Sequence, residues 1–282
     1  MFDIHEVIGN ACPPLHIVDV GAASMGEGTD PYHALLSAPN VSVIGFEPNQ
    51  AACDALNART ALNRKFLPYA IGDGQKRLFF ECRNPLHSSL YEPNEKLFSL
   101  LWHEDLTVLR TREIQTLRLD DLPEIMDCDL LKIDVQGAEL DVLNGATRLL
   151  RQIVVIHTEV EFVPAYKGQP LFGQVDQKLV DAGFLLHNFT GLCIHQSRLL
   201  PQGKFRGHQL LWSEGAIYLS NFMLLNELSA EKLLKLAYIA HLQYGSYDIA
   251  ALALQNHDKS EGGDFYQRYV ERFNEAMSPP NA

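Results

Sequence analysis

The chain of 282 residues has few cysteines, few basic side chains and no long apolar runs. Its five cysteines are odd in number, scattered and without a CxxC pair, which predicts a reduced, cytoplasmic protein without a structural zinc site. Lysine and arginine together number 23 against 35 acidic residues, so the net charge is −12. This acidic surplus argues against proteins that bind nucleic-acid phosphates or anionic lipid.

No stretch approaches the roughly 18 consecutive apolar residues of a membrane span. The start, MFDIHEVIGN, lacks the basic and apolar regions of a signal peptide, so we expect neither a membrane anchor nor secretion. Apolar residues make up 46% and charged residues 21%, which excludes disordered and collagen-like chains. The length fits one large domain, or one domain with a small appendage.

Short, β-rich apolar runs alternate with helical stretches from Leu15 to about Leu192. Strands are predicted at 16–20, 41–46, 65–71, 130–135 and 153–158, and helices at 50–61, 138–150 and 172–182. Apolar strands separated by helices predict an α/β fold with a mostly parallel, doubly wound sheet. Two later runs, 184–192 and 209–220, have no long helix between them and predict an antiparallel edge strand.

Two segments depart from this alternation. Residues 84–110 are irregular and contain Pro85 and Pro93, which predicts a lid or insertion over a ligand. From about Phe222 the chain is helical, with Ser229 as a predicted N-cap and Gly245 as a predicted helix end. We therefore predict a main domain at 1–221 and a C-terminal helical extension at 222–282, whose helices are candidates for contact with a partner or a second copy of the chain.

The stretch HIVDVGAASMGEG, residues 16–28, predicts a strand that ends in a glycine turn. Asp19 stands at the end of this strand, and Glu47 with Pro48 follows the next one. An acidic residue in that position can accept hydrogen bonds from both ribose hydroxyls of a nucleoside. A dinucleotide fingerprint needs G-x-G-x-x-G, but Ala23 replaces its second glycine. The turn therefore favours S-adenosylmethionine over a cofactor with a pyrophosphate.

The stretch DLLKIDVQGAELDVLNGA, residues 129–146, predicts a buried strand followed at once by a helix. Lys132 and Asp134 occupy alternate positions of the strand, and Glu139 lies in the first helical turn. Charged side chains in an apolar strand are costly unless they serve a purpose. We place Asp134 beside the predicted cofactor crevice; the alternative is a Lys–Asp ion pair that only fixes the strand end.

The stretch IVVIHTEVEF, residues 153–162, places His157, Glu159 and Glu161 on one face of a strand. Asp134 and Glu159 at neighbouring strand ends can together hold a hard cation such as Mg²⁺. Alternatively, one of these carboxylates or His157 acts as the general base on a substrate hydroxyl. The plainer interpretation of Glu161 is that it lies on a solvated rim of the sheet.

Five segments together resemble the FkbM family of S-adenosylmethionine-dependent methyltransferases. They are Asp19-x-Gly21, GFEPN at 45–49, AIGD at 70–73, TLRLDDL at 116–122 and KIDVQGAELDVLNGA at 132–146. The resemblance covers about residues 15–220 and implies the Rossmann-like fold of class I methyltransferases. It also implies methyl transfer, often to oxygen, with a small-molecule, sugar or glycan acceptor.

The resemblance also implies which residues contact the cofactor, S-adenosyl-L-methionine. These are Asp19, Gly21, Ala22, Ala23, Glu47, Pro48, Ala70, Ile71, Asp73, Asp134 and Gln136. The residue near Asp73 contacts the adenine amino group in related folds. The family commonly has glutamate where this chain has Gln136, so a role in hydrogen bonding is retained here but a charge is not.

An alcohol nucleophile needs a base or a metal to assist its deprotonation. We predict Asp134 in that role, as base or metal ligand, with Glu159 as its partner and His157 as a third candidate. The pattern leans towards a metal-free mechanism because a third clear ligand for Mg²⁺ is missing.

Three other functions stay open at this point. One is a nicotinamide-dependent oxidoreductase on the same kind of sheet. Another is a non-catalytic protein that binds S-adenosylmethionine or docks a partner through residues 222–282. The third is an N- or C-methyltransferase, disfavoured because the site of a (D/N)-P-P-(Y/F/W) element reads Asp134-Val135-Gln136-Gly137.

Overall fold

The structure, a computed structural model, describes residues 2–23, 30–38, 40–59, 63–101, 106–196, 199 and 207–278. The strands within these ranges are β1 (Leu15–Val20), β2 (Val41–Phe46), β3 (Arg64–Leu67), β4 (Ala70–Ile71), β5 (Lys76–Cys82), β6 (Val108–Leu117), β7 (Leu130–Ile133), β8 (Val155–Glu161), β9 (Phe184–His195) and β10 (Gln209–Ser220). The helices are α1 (His5–Ile8), α2 (Gln50–Arg59), α3 (Glu95–Phe98), α4 (Glu139–Asn144), α5 (Phe172–Asp181), α6 (Ala230–Tyr244), α7 (Tyr247–Glu261) and α8 (Phe265–Met277).

Seven strands form the main sheet in the order β3-β2-β1-β7-β8-β10-β9. The first five of these pair in parallel, whereas β10 runs antiparallel to both β8 and β9. The direction of winding switches between β1 and β7. The predicted α/β fold, with its doubly wound, mostly parallel sheet, is therefore confirmed. The antiparallel edge is the pair β9–β10, in which β10 is the reversed strand.

The single strand predicted at 65–71 was wrong, because the chain turns in its middle. Strand β3 belongs to the main sheet, while β4 joins a second sheet in the order β4-β6-β5. Pro68 lies between them and has no N–H to donate to a ladder. The backbone N–H of Tyr69 donates to the carbonyl of Leu67 at 2.9 Å, which closes the turn. This turn brings Ala70 and Ile71 to the carboxyl edge of the main sheet.

Helical layers cover the two faces of the main sheet. On one face, Val18 and Ile133 of the strands share a buried core with Val142 of α4 and Leu179 of α5. On the other face, a second buried core joins residues of β1, β2, β7 and β10 to residues of α1 and α6–α8. The predicted C-terminal extension is thus one of the two layers that bury the sheet. No helix in the described ranges is long and apolar enough to span a bilayer.

Helix α6 is fixed to the amino edge of the sheet by a buried lysine. The ammonium of Lys235 lies 3.0 Å from Asp129 and 2.8 Å from Glu231. Asp129 in turn accepts a hydrogen bond of 2.9 Å from the backbone N–H of His16 on β1. The predicted helix ends also form, since Ser229 accepts from the N–H of Lys232 and Gly245 has a left-handed φ of 61°.

Candidate active site

A cavity of about 380 Å³ opens at the carboxyl ends of the parallel strands, where the winding direction switches. Ligands of open α/β sheets bind at this place, and the volume falls within the usual range for small-molecule sites. Most of the predicted site residues line the cavity, namely Asp19, Gly21, Ala22, Ala23, Glu47, Pro48, Ala70, Ile71, Asp134, Gln136 and Glu159. We call the part built on β1, β2 and β4 the β1 half, and the part built on β7, β8 and β10 the β8 half.

The turn after β1 requires glycine. Gly21 has a φ of 76°, and a Cβ on it would lie 1.8 Å from the backbone oxygen of Asp134. The N–H groups of Gly21 and Ala22 both donate to the carbonyl of Phe46 at 3.0 Å. Because glycine has no side chain, the ends of β2, β1 and β7 approach one another closely. Backbone atoms therefore form the floor of the β1 half.

A buried ion pair lies under this turn. The ammonium of Lys132 donates to the carbonyl of Gly21 at 2.6 Å and lies 3.0 Å from Asp19 and 3.9 Å from Asp134. The hydroxyl of Tyr32 donates to the other oxygen of Asp19 at 2.7 Å. Burial by itself would lower the pKa of Lys132, but the neighbouring carboxylates of Asp19 and Asp134 outweigh it and raise this pKa. Lys132 therefore stays charged and fixes the strand end.

Glu47 stands at the cavity end of β2, as predicted. It is buried, which raises its pKa, and its Oε1 accepts a hydrogen bond of 2.8 Å from the N–H of Asn49. Beside it, the rings of Phe46 and Tyr69 stack with centroids 6.2 Å apart. The β1 half therefore combines one carboxylate acceptor with an aromatic wall.

Gln136 joins two carboxyl groups of the β8 half, those of Asp134 and Glu159. Its Nε2 donates to Asp134 at 2.9 Å and to Glu159 at 2.7 Å, and its Oε1 accepts from the hydroxyl of Tyr166 at 2.9 Å. The backbone of Gln136 has a φ of 58°, uncommon for a residue other than glycine. A glutamate side chain at this position would bring a third acceptor against two acceptors, so glutamine suits these surroundings.

Glu159 belongs to a group of three buried carboxyls. The other two are those of Glu139 and Glu161, and one oxygen from each of the three lies within 4.8 Å of the others. Burial is the largest cause that raises the pKa of each carboxyl, to about 7 for Glu139 and well above 4.5 for the other two. The predicted metal pair was Asp134 with Glu159; this group contains Glu159 but not Asp134. One oxygen of Glu139 accepts from the N–H groups of Val135 and Gly137 and so holds the turn into α4.

His157 does not line the cavity, which leaves the catalytic role predicted for it without support. Its Nδ1 lies 3.3 Å from the hydroxyl of Tyr244 on α6. Its ring fills the space beside Gly215, where a Cβ would lie 2.2 Å from the Nε2. Burial lowers the pKa of His157 to about 4, so the ring is neutral at physiological pH. The residue joins β8 to the C-terminal helical layer.

Asp73 also lies outside the cavity wall, although Ala70 and Ile71 just before it line the cavity. Its carboxylate accepts from the N–H of Gln75 at 3.0 Å and forms an ion pair with Arg77. Asp73 is therefore not part of the described cavity lining, and its contact with the cofactor stays a prediction.

Part of the predicted lid does cover the cavity, since residues 85–90 line it. Ser89 exchanges two backbone hydrogen bonds with Phe80, and its hydroxyl donates to the carbonyl of Gln136 at 2.6 Å. The hydroxyl oxygen of Tyr166 also lies 3.2 Å from the carbonyl oxygen of His87. This cover is therefore fastened to Gln136, whose side chain also binds Asp134 and Glu159.

The sequence patterns did not point to Trp212 and Glu214, which line the β8 half from β10. The only signal for them was their alternate spacing on a predicted strand. Alternate spacing occurs in any strand with one exposed face, so it did not mark these two residues as part of a site.

The described geometry can be compared with known proteins. The Methyltransferase FkbM domain family matches residues 19–186. This chain belongs to the FkbM methyltransferase family. The match begins at Asp19 on β1 and ends within β9, so it includes the ends of β1, β2, β4, β7 and β8 that line the cavity but not β10.

Three known proteins are similar to this chain over part of their length. The 2-O-methyltransferase NoeI of Sinorhizobium fredii is 29% identical over 166 residues, which cover 54% of this chain and 66% of NoeI, slightly less than two thirds of its length. The SAH-bound N-terminal domain of EvdMO1 overlaps 77% of this chain and 77% of its own, with 10% identity and a TM-score of 0.35. LepI in complex with SAM overlaps 78% of this chain and 47% of its own, with 12% identity and a TM-score of 0.35.

Proposed function

We propose that this protein transfers a methyl group from S-adenosylmethionine to a hydroxyl oxygen of a sugar, glycan or natural-product acceptor. The observation that carries the proposal is one cavity with two different halves. The glycine turn and Glu47 line one side, and the linked carboxylates of Asp134 and Glu159 line the other.

The β1 half suits the cofactor. Glu47 stands where an acidic side chain accepts hydrogen bonds from both ribose hydroxyls. Gly21 lets a ligand approach the backbone, and the ring of Tyr69 with the side chains of Ala70 and Ile71 offers an apolar wall to a purine. When bound, S-adenosylmethionine supplies an electrophilic methyl group on a cationic sulfur, and the acidic lining of the cavity favours that charge.

The β8 half suits deprotonation of an alcohol. The side chain of Asp134 is 40% exposed, so it can reach an acceptor in the cavity. As the acceptor oxygen forms its bond to the methyl carbon and the carbon–sulfur bond breaks, the carboxylate of Asp134 takes the hydroxyl proton. Gln136 holds this carboxylate in place, and Glu159 anchors the amide of Gln136 from the other side.

Orientation contributes more than the base. A well-aligned pair of reactants gains the equivalent of about 7–11 kcal/mol over free encounter. The covering residues 85–90 and the strand ends below them enclose the acceptor between two surfaces and exclude water. Transfer to oxygen is also supported by the name of NoeI, a 2-O-methyltransferase. A cytoplasmic location and a partner contact through α6–α8 stay predictions.

Two measurements test this function. Calorimetric titration with S-adenosylmethionine, S-adenosylhomocysteine and NAD should show binding of the first two and none of NAD. Methyl-labelled S-adenosylmethionine is then incubated with glycans and nucleotide sugars, with Mg²⁺ or with EDTA. We expect label in a product that resists mild alkali, as an ether does and a methyl ester does not.

The other functions predict different results. Binding of NAD in place of S-adenosylmethionine would favour an oxidoreductase. Binding of S-adenosylmethionine without transfer to any acceptor would favour a non-catalytic protein. Loss of transfer in EDTA with recovery in Mg²⁺ would assign a metal-assisted reaction and make Glu159 a metal ligand.

A further inference from the structure

We propose that Glu214 and Trp212 on β10 select the acceptor, and that they bind an uncharged, polyhydroxylated ring. This inference rests on the proposed function and narrows its acceptor class. Glu214 would accept hydrogen bonds from two neighbouring hydroxyls, while the indole of Trp212 packs against the apolar face of the ring.

A β-bulge positions Glu214. Ser213 pairs with Val160 and Ala216 pairs with Thr158, so Glu214 and Gly215 together stand opposite the single residue Glu159. Bulges of this kind redirect side chains and are frequent beside active sites. The redirected Glu214 is exposed and lines the same cavity as Trp212 and Glu159.

Neighbouring residues fix the bulge on both sides. The hydroxyl of Ser213 donates to the carbonyl of Thr190 at 2.7 Å and accepts from the N–H of Gly215 at 3.3 Å. On β9, Gly191 has a φ of 59°, and a Cβ on it would lie 2.3 Å from the Oε2 of Glu214. The carboxylate therefore lies directly against the backbone of Gly191, which only glycine permits without displacement of the carboxylate.

The carboxylates of the β8 half indicate the kind of acceptor. Asp134, Glu159 and Glu214 all line it, and the ammonium of Lys132 is occupied by Asp19 and the carbonyl of Gly21. A phosphate on the acceptor would be repelled by the carboxylates of Asp134 and Glu214. A carboxylate only accepts hydrogen bonds, so it pairs with hydroxyls, which donate. An aromatic side chain supplies the apolar surface that a sugar ring covers.

The test uses methyl glycosides of the common hexoses, with their 6-phosphates as anionic counterparts. Binding to the protein saturated with S-adenosylhomocysteine is measured by saturation-transfer NMR, and KM values are measured with labelled S-adenosylmethionine. The variants are Glu214→Gln and Trp212→Ala, with Glu113→Gln on β6 as the control, since Glu113 is also exposed but does not line the cavity.

We expect the neutral glycosides to bind and their phosphates not to. Glu214→Gln and Trp212→Ala should each raise the Kd and KM of the glycoside at least tenfold, because a hydrogen bond to a charged group or a stacked ring is lost. The Kd of S-adenosylmethionine should stay unchanged in both variants, and Glu113→Gln should behave as the parent protein.

Preference for the phosphates, failure of every neutral glycoside to bind, or glycoside affinity that Glu214→Gln leaves unchanged would each overturn the inference. If the glycosides bind and Glu214→Gln weakens them, but no methyl is transferred, the acceptor site stands and the proposed methyl transfer fails. The two proposals can therefore fail separately.

Discussion

The two halves of the cavity are built in different ways. The β1 half comes mainly from the ends of consecutive strands, from Asp19 to Ile71, and backbone atoms at Gly21 form much of it. The β8 half comes from the ends of β7, β8 and β10, from Asp134 to Glu214, and it depends on a bulge and on the covering residues 85–90. On the proposed function, the cofactor would therefore be held by local, repeated geometry, whereas the acceptor would be recognised by contacts between distant parts of the chain.

The two halves also differ in the partners of their buried carboxyl groups. Asp19 in the β1 half is paired with the ammonium of Lys132 at 3.0 Å. Glu139, Glu159 and Glu161 behind the β8 half lie against one another, and their pKa values are raised. One half thus contains a buried ion pair, whereas the other has behind it carboxyls whose pKa values burial raises.

The largest effect is expected from Asp134→Asn, which removes the proposed base from the β8 half. Loss of a positioned general base lowers kcat by about 10²–10⁴-fold. The Kd of S-adenosylmethionine should change little, because the β1 half is left intact. Calorimetry and steady-state kinetics measure the two quantities, with the exposed Asp181→Asn on α5 as the control. Undiminished kcat in Asp134→Asn would remove this residue from the mechanism.

Lys132→Met tests the ion pair of the β1 half. It leaves Asp19 buried without a cation, which costs about 3–5 kcal/mol of unfolding free energy. The double variant with Asp19→Asn should recover much of this loss, because neither charge is then left alone. Urea denaturation measures both values. If the unfolding free energy of Lys132→Met alone equals that of the parent protein, the ion pair does not hold the strand end.

Glu139→Gln tests the three buried carboxyls behind the β8 half, again through the unfolding free energy. The pKa of Glu139 is about 7 in the folded protein against an ordinary value of 4.5 for glutamate, so the folded state binds this proton more tightly. Its contribution to stability is present below pH 4.5 and is lost as the pH rises to about 7. A shift of this size corresponds to about 3 kcal/mol. Glutamine keeps the acceptor for Val135 and Gly137.

The measurement is the unfolding free energy of both proteins from pH 4.5 to pH 8 in EDTA. The parent protein should lose more stability than Glu139→Gln over the interval from pH 4.5 to pH 7. Parallel curves would mean that Glu139 is ionised throughout. Repeating the series with Mg²⁺ would detect a cation that replaces the protons.

The β1 half could be predicted from the sequence because its residues follow directly after apolar strands. Gly21 and Glu47 are read from local patterns, and so is the position of Asp134 at the end of β7. The family motif also marked Gln136, whose contacts explain why glutamine is present. These positions depend on neighbours within one βαβ unit and on the general rule for strand ends.

The remaining parts depend on contacts that no local pattern records. The bulge at Glu214 exists only when β8 and β10 are aligned in register. His157 and Glu159 occupy alternate positions of β8, yet the C-terminal layer reaches His157 through Tyr244 while Glu159 lines the cavity. The break at Pro68 likewise became clear only when β3 and β4 were seen in different sheets.

A crossed measurement on Glu47→Gln and Glu214→Gln tests the separation of the two halves most directly. For each variant, the Kd of S-adenosylmethionine and the Kd of a methyl glycoside are measured on the full chain. The account predicts that Glu47→Gln raises only the first, and Glu214→Gln only the second, each by about tenfold or more. If both variants weaken both ligands equally, or if S-adenosylmethionine binds Glu47→Gln as tightly as the parent protein, the assignment of the two halves is contradicted.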